Sequence, residues 1–278
     1  MNLPDPLDRH ALAELARDVA EQAGRLIVQG RPDRLEVSSK SSRRDIVTEM
    51  DQRAQDALCE ALAAARPDDA ILGEEQGGRP GTSGLTWVLD PIDGTVNYLY
   101  GLSPFSVSVA VVEGDPTTWG RWSPLAGAVV IPPVGLTYLA TLGGGAMVQD
   151  AHGAREVRAS SATELSMALV ATGFAYGAEL RCVQTRAFVE IIPKVRDIRR
   201  TGSAAADLCW VADGRLDGYF EAGLHAWDVA AGQLIATEAG AVLHGLGDEV
   251  PNGELYAMSA PGISADFAAL LRSAHRSS

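Results

Sequence analysis

The chain of 278 residues, 46% hydrophobic and 21% charged, has the composition of a folded globular protein and the length for a sizeable core, in one large domain or two smaller ones. Its formal net charge of −13 argues against nucleic acid or an anionic membrane surface as a partner. Any phosphate site must therefore carry local positive charge, from metal ions or helix N-termini, inside the roughly 8 Å over which charges escape salt screening.

Cys59, Cys182 and Cys209 are odd in number and widely spaced, which argues against a disulfide framework and a C-x-x-C zinc site. The start MNLPDPLDRHALAEL has no basic-then-apolar leader pattern, and no apolar run reaches bilayer length, so the expectation is a soluble, cytoplasmic protein. Residues 8–27 carry Leu12, Leu15, Ala16, Val19, Ala23 and Leu26 at helical spacing and predict an amphipathic helix. Residues 30–44 are polar, and Lys40 among their serines and arginines reads, taken alone, as a solvated lysine. DIVTEMDQRAQDALCEAL then predicts a helix capped by Thr48 or Asp51, with Ala54, Leu58, Ala61 and Leu62 inward. Residues 70–72 form a short strand that ends in Glu74-Glu75 and a Gly-rich loop over 77–84.

The next stretch, WVLDPIDGTVNYLYG, follows an apolar strand directly with two acids, a proline and a glycine. Pro91 removes a ladder donor and so predicts the end of the strand, while Gly94 permits a tight turn with close backbone approach. Asp90 and Asp93 flank that turn and would repel each other unless a hard cation sat between them. On its own the turn reads equally as a cation site or as an Asp-rich surface turn.

Residues 105–112 alternate as a strand, 115–124 are a loop, and 126–131 and 136–141 predict two strands joined through Pro132 and Pro133. The expectation for 1–155 is an α+β half, helices on a largely antiparallel sheet; for 156–278 it is an α/β half. There residues 169–171 predict a strand and 181–195 a helix with Val183, Phe188, Ile191 and Ile192 inward. Gly202-Ser203 opens the helix AAADLCWVA, residues 218–221 predict a strand, and Asp228 stands at the start of a helix carrying Leu234 and Ile235. An acid there complements the helix dipole, whatever else it does.

Asp51, Glu74-Glu75, Asp90 with Asp93, and Asp228 thus share one context, a strand end or helix start. Together GEE, DPIDGTVNY and WDVAAG resemble the inositol monophosphatase family of Mg²⁺-dependent, lithium-sensitive phosphatases, in order and spacing over nearly the whole chain. The run IRRTGSAAADLCWVADGRLDGYFE is similar to bacterial, actinobacterial-type members. The resemblance implies a layered αβαβα sugar-phosphatase fold and a homodimer. It also implies two to three Mg²⁺ per site, one on Glu74, Asp90 and the Ile92 carbonyl, a second on Asp90, Asp93 and Asp228, and a weaker third near Glu74. Gly94 and Thr95 would offer N–H groups to phosphate. Thr95, held by Asp51, would orient the attacking water while Glu74 assists its deprotonation, and no phospho-enzyme is required. Glu75 would hydrogen-bond a metal-bound water from outside the ligand set, and Lys40 matches a family lysine near the attacking water.

For the substrate, the resemblance assigns Glu221 to ring hydroxyls, Ser203 and Ala204 to the sugar pocket, and Arg199 to an interface or the substrate. Inositol 1-phosphate is the expected substrate, a small phosphorylated polyol, with no nucleic acid or membrane partner. The alternatives are histidinol phosphate, fructose 1,6-bisphosphate, a nucleotide 3′-phosphate, or a non-catalytic binding relative. Tyr98 stands where the family commonly has phenylalanine. His225 beside Trp227 reads as a structural neighbour of the site rather than a catalyst.

Overall fold

A computed structural model describes residues 8–31, 37–39, 46–246 and 251–276. The first expected helix is α1 (Arg9–Gln29), capped by Asp8, whose Oδ1 accepts from the N–H groups of His10 and Ala11. In α2 (Glu49–Ala65) both expected capping residues take part. Thr48 Oγ1 accepts from Met50 N–H, and Asp51 Oδ2 reaches back to the Thr48 N–H at 2.7 Å, a reciprocal arrangement that fixes the first turn and the Asp51 side chain together. Part of the expected polar loop before it is a small antiparallel ladder of β1 (Val37–Ser39) and β2 (Ile46–Thr48); Lys40 lies outside the described residues.

Seven strands follow in sheet order: β3 (Ala70–Gly73), β4 (Leu85–Asp93), β5 (Ser106–Gly114), β6 (Trp122–Ile131), β7 (Leu136–Thr141), β8 (Gly145–Asp150) and β9 (Gly153–Glu156). All neighbours are antiparallel except β3 and β4. The pair β8–β9 escaped the sequence reading because its glycines and exposed polar residues carry no clean alternation. The short helix α3 (Thr95–Tyr100) connects β4 to β5 and is tied to α1 by the Tyr98 hydroxyl, which donates to Ile27 O at 2.8 Å. The second half contributes β10 (Leu169–Thr172), β11 (Asp197–Arg199), β12 (Gly218–Glu221), β13 (Val242–His244) and β14 (Tyr256–Ser259), in spatial order β11-β10-β12-β14-β13, with β10 parallel to β11 and β12. Its helices are α4 (Ala178–Ile191), α5 (Ala204–Ala212), α6 (Ala226–Glu238) and α7 (Ser264–Arg276).

The alternation of side chains along the strands sets the layers. In β4 and β5, Trp87, Leu89, Val107, Val109 and Val111 face one way and pack on α1 and α2. Val88, Ala110 and Val112 face the other way, onto α5 and α6. Those helices are apolar nearly all round because Tyr219, Tyr256 and Met258 of the second sheet cover their far side. Val170, Phe220 and Ala257, on the opposite face of that sheet, pack on α4 and α7. The order is helix, sheet, helix, sheet, helix, the expected αβαβα fold. In α4 only the last turns reach the sheet: Ala187 and Ile191 are buried, whereas Val183 and Ile192, expected inward, are exposed. Among the described residues no helix is long and apolar enough to cross a membrane.

One buried charge supports the first sheet. Asp69, just before β3, accepts from Arg66 Nε at 2.8 Å and from the indole N–H of Trp87 at 2.9 Å. Burial, the largest effect on its carboxyl, raises the pKa, but hydrogen bonds from Arg66, Ser83 and Trp87 outweigh it and leave it below the ordinary value. A depressed folded-state pKa stabilises above the unfolded value and loses that contribution as pH falls through the folded one. Asp69→Asn is therefore expected to cost about 1–3 kcal/mol at neutral pH and to flatten the loss of stability below about pH 4. Urea unfolding followed by tryptophan fluorescence across pH checks both.

Candidate functional site

The acids converge because two strands end side by side. Parallel pairing sets Gly73 of β3 beside Leu89 of β4, and the Glu74 N–H continues the ladder to Leu89 O at 3.0 Å, so Glu74 lies next to Asp90. Pro91 does not end β4 as expected; the strand runs on to Asp93, and the lost donor appears instead as a register shift against β5 between Asp90, opposite Ser108, and Asp93, opposite Ser106. The irregularity holds two aspartates three residues apart, both buried, at the floor of a cleft of about 390 Å³. Gly94 then turns with φ 96°, where a Cβ would lie 3.0 Å from Gly202 O and 3.2 Å from Pro104 O, so both conformation and space demand glycine.

Glu74, Asp90, Ile92, Asp93, Gly94, Thr95, Ser203, Ala204, Glu221 and Asp228 all line this cleft. Asp51 joins from beneath: its Oδ1 accepts from Thr95 Oγ1 at 3.2 Å, while Oδ2 is held by the Thr48 N–H and hydroxyl. Glu75 stands outside the lining, its backbone N–H and carbonyl bonded to the Gln55 amide. Arg199 is also outside; it is exposed and paired with Asp197 at 2.6 Å, and its neighbour Arg200 lines the cleft instead. Along a strand one residue reverses the face, and β11 ends at Arg199. His225 lines the rim with its ring stacked on Trp227, centroids 4.5 Å apart.

Asp93 bridges the two halves of the molecule. Its Oδ2 accepts from Ser203 Oγ and from Ala205 N–H, both at 2.7 Å, and its Oδ1 from Ala204 N–H at 3.3 Å. The carboxylate thus caps the first turn of α5, where free N–H groups and the helix dipole favour negative charge. Asp228 is held by α6 in the same manner, its Oδ2 accepting from His225 N–H at 2.6 Å. Asp90 Oδ1 accepts from Ile92 N–H at 3.0 Å.

The crowding is expressed in the acidities. Burial first, then the charges of Glu74, Asp93, Asp228 and Asp51, push the Asp90 carboxyl well above the carboxylate range. Burial likewise raises Asp93 to about 6, against the Ser203 and backbone hydrogen bonds, and raises Asp51 against its Thr48 bonds. Glu221 is pushed up to about 7 by burial, partly offset by the Tyr219 hydroxyl donating at 2.6 Å. Asp51, Asp90, Asp93, Glu221 and Asp228 have each turned an oxygen to a backbone or hydroxyl donor. Among the described residues no three His, Cys, Asp or Glu side chains close on a single point as a finished metal cage.

Two charged cleft residues were missed by the sequence reading. Arg200 was hidden by its twin at 199. Asp207, an acid inside the apolar helix AAADLCWVA, gave a usable signal, because such a residue is either paired or functional. It is 1% exposed, its carboxyl is held well above the ordinary range by burial, and among the described residues Oδ1 has no hydrogen-bond partner.

The inositol monophosphatase family model matches residues 8–276. An inositol-1-monophosphatase SuhB of Mycobacterium tuberculosis is 44% identical over 242 residues, covering 85% of this chain and 81% of the relative. A protein named Nus factor SuhB, from Escherichia coli K12, is 36% identical over 242 residues, covering 84% and 85%. The solved structure of Mycobacterium tuberculosis SuhB superposes with a TM-score of 0.80 at 38% identity, over 97% of this chain and 98% of that one.

Ser203 caps α5 and holds Asp93 at once, since its Oγ also accepts from Ala206 N–H. Ser203→Ala is expected to lower stability by about 1–2 kcal/mol through the cap alone. Denaturant melts of the two proteins check this; an unchanged midpoint would remove Ser203 from the scaffold of the site.

Proposed function

The chain belongs to the inositol monophosphatase family, and from that premise we propose that it is a Mg²⁺-dependent phosphomonoesterase hydrolysing inositol 1-phosphate to inositol and phosphate. The observation that carries the reading is the convergence of Glu74, Asp90, Asp93 and Asp228 on one cleft beside Thr95 and Glu221. The family is in general Mg²⁺-dependent. The donor set fits such an ion: these are hard oxygen ligands, and buried carboxylates that raise one another's pKa gain from a divalent cation between them. Glu74, Asp90 and the Ile92 carbonyl would hold one ion, Asp90, Asp93 and Asp228 a second, with a third near Glu74. When bound, the ions supply positive charge to the phosphoryl oxygens and make water acidic enough to attack at neutral pH.

The residues around them handle the proton. The Thr95 hydroxyl has one hydrogen and two acceptors in reach, Asp51 Oδ1 at 3.2 Å and Ile92 O at 3.1 Å. Were the Ile92 carbonyl to hold a cation, that hydrogen would go to Asp51 and leave the Thr95 lone pairs for the attacking water. Asp51, raised by burial, and Glu74 suit proton acceptance. Gly94 and Thr95 present the phosphate with the start of α3, and Glu221 accepts from a substrate hydroxyl. We assign Glu75 a supporting part through Gln55, and Ser203 with Ala204 the edge of the sugar pocket by way of Asp93. The proposal includes the homodimer that the family resemblance implies, and the proposed setting is the cytoplasm.

A non-catalytic reading draws on relatives named Nus factor. The full set of acids with Thr95 favours the enzyme, and the charge of −13 disfavours direct nucleic-acid contact.

Phosphate release from inositol 1-phosphate is expected with Mg²⁺, to disappear with a chelator and to fall with lithium. Asp93→Asn and Asp228→Asn are each expected to reduce turnover by about 100-fold or more with the fold retained by circular dichroism. Near-normal rates in these variants would sink the metal assignment. Glu221→Gln is expected to slow inositol 1-phosphate hydrolysis more than that of an ester lacking ring hydroxyls; equal losses would remove the substrate assignment.

A further inference from the structure

Arg200 is the one lysine or arginine among the described residues lining the cleft, against six acids. No described carboxylate closes on it within ion-pair distance, although its charge is felt by both Asp207 and Glu221. Its place is fixed by the turn beneath it. Asn97 Nδ2 donates to Thr201 O at 2.7 Å and to Pro104 O at 2.6 Å, which clamps the turn to α3. At Gly202, with φ 100°, a Cβ would lie 2.7 Å from Arg200 Nη1, so the guanidinium rests against a surface that only glycine leaves open. Across the cleft Glu221 spends Oε2 on the Tyr219 hydroxyl, and among the described residues Oε1 has no such bond. Gly173 leaves room for that carboxylate, since a Cβ there would run into it. Asp207, buried behind, adds a negative field that favours a cation at this point.

We propose that Arg200 and Glu221 form a donor–acceptor pair that reads two neighbouring hydroxyl oxygens on the alcohol part of the substrate, making Arg200 a specificity-determining residue for phosphate esters of vicinal diols. The inference rests on the phosphatase reading above and adds to it. A hydroxyl is both donor and acceptor; one of the two donates to Glu221 Oε1, and the other accepts from the guanidinium. The planar fork has N–H groups to spare for this, which an ammonium does not match in geometry. As part of the proposal, the pair holds the hydroxyls equally in ground and transition states, so its loss reads in KM with kcat unchanged.

The test compares inositol 1-phosphate and glycerol 1-phosphate, which carry vicinal hydroxyls, with propyl phosphate, which carries none, in the Mg²⁺-loaded enzyme. Arg200→Ala is expected to raise KM for the first two about tenfold, the size of one charge-assisted hydrogen bond, with kcat within about twofold and the propyl phosphate constants unchanged. Arg200→Lys is expected to restore part of the loss. Equal losses on all three esters would place Arg200 on the phosphate, and unchanged KM values would leave it as a solvated charge; either result overturns the inference while the phosphatase reading stands. A wild-type protein inert to all three overturns that reading, and the inference with it.

Discussion

Mutual repulsion among buried carboxylates is the constraint around which the rest of the molecule is arranged. Asp90 and Asp93 are nearly fully buried, with Glu74, Asp228 and Asp51 close enough to raise the pKa of Asp90. Unpaired buried charge is costly, and a chain tolerates it only where something else compensates. Here the compensation is local and comes from backbone: the first turn of α5 for Asp93, the first turn of α6 for Asp228, and the Thr48 cap of α2 for Asp51. Three helix N-termini are aimed at one cleft, and each brings partial positive charge to a site where Arg200 is the one described basic side chain of a chain of net charge −13.

That requirement explains the layering. For α5 and α6 to point their first turns at the end of β4, they must lie on the first sheet, and their other sides then need cover. The second sheet gives it through Tyr219, Tyr256 and Met258. Glu221 ends a strand of that second sheet and so reaches the cleft from the opposite wall to Asp90. In the proposed reaction, the phosphate and the alcohol it leaves would thereby be read by different parts of the fold.

Much of this was legible in the sequence, for identifiable reasons. Asp90, Asp93, Glu74 and Asp228 lie at the junction of an apolar run and a turn, a pattern that survives without tertiary information. Thr48 and Asp51 were legible as capping residues because a capping box is local. What was not legible depended on facing. Pro91 removes one donor but does not say whether the strand stops or slips register, and here it slips. Arg199 and Arg200 are chemically equal and differ only in which one the end of β11 turns inward. Val183 sits at helical spacing with Ala187 and Ile191, yet α4 extends past its support, so the same periodicity gives an exposed residue at one end and buried ones at the other. Asp207 was the most informative oversight, an acid in a helix otherwise apolar on every side.

The central claim is that the carboxylate cluster is a divalent-cation site, and unfolding temperature against Mg²⁺ concentration tests it without assuming any substrate. An ion that binds only the folded chain stabilises it by mass action. The wild-type protein is expected to melt at progressively higher temperature as Mg²⁺ is added, and Asp90→Asn, which removes the residue shared by both proposed ions, to show little response. A wild type indifferent to Mg²⁺, or a variant that responds as strongly, would contradict the account.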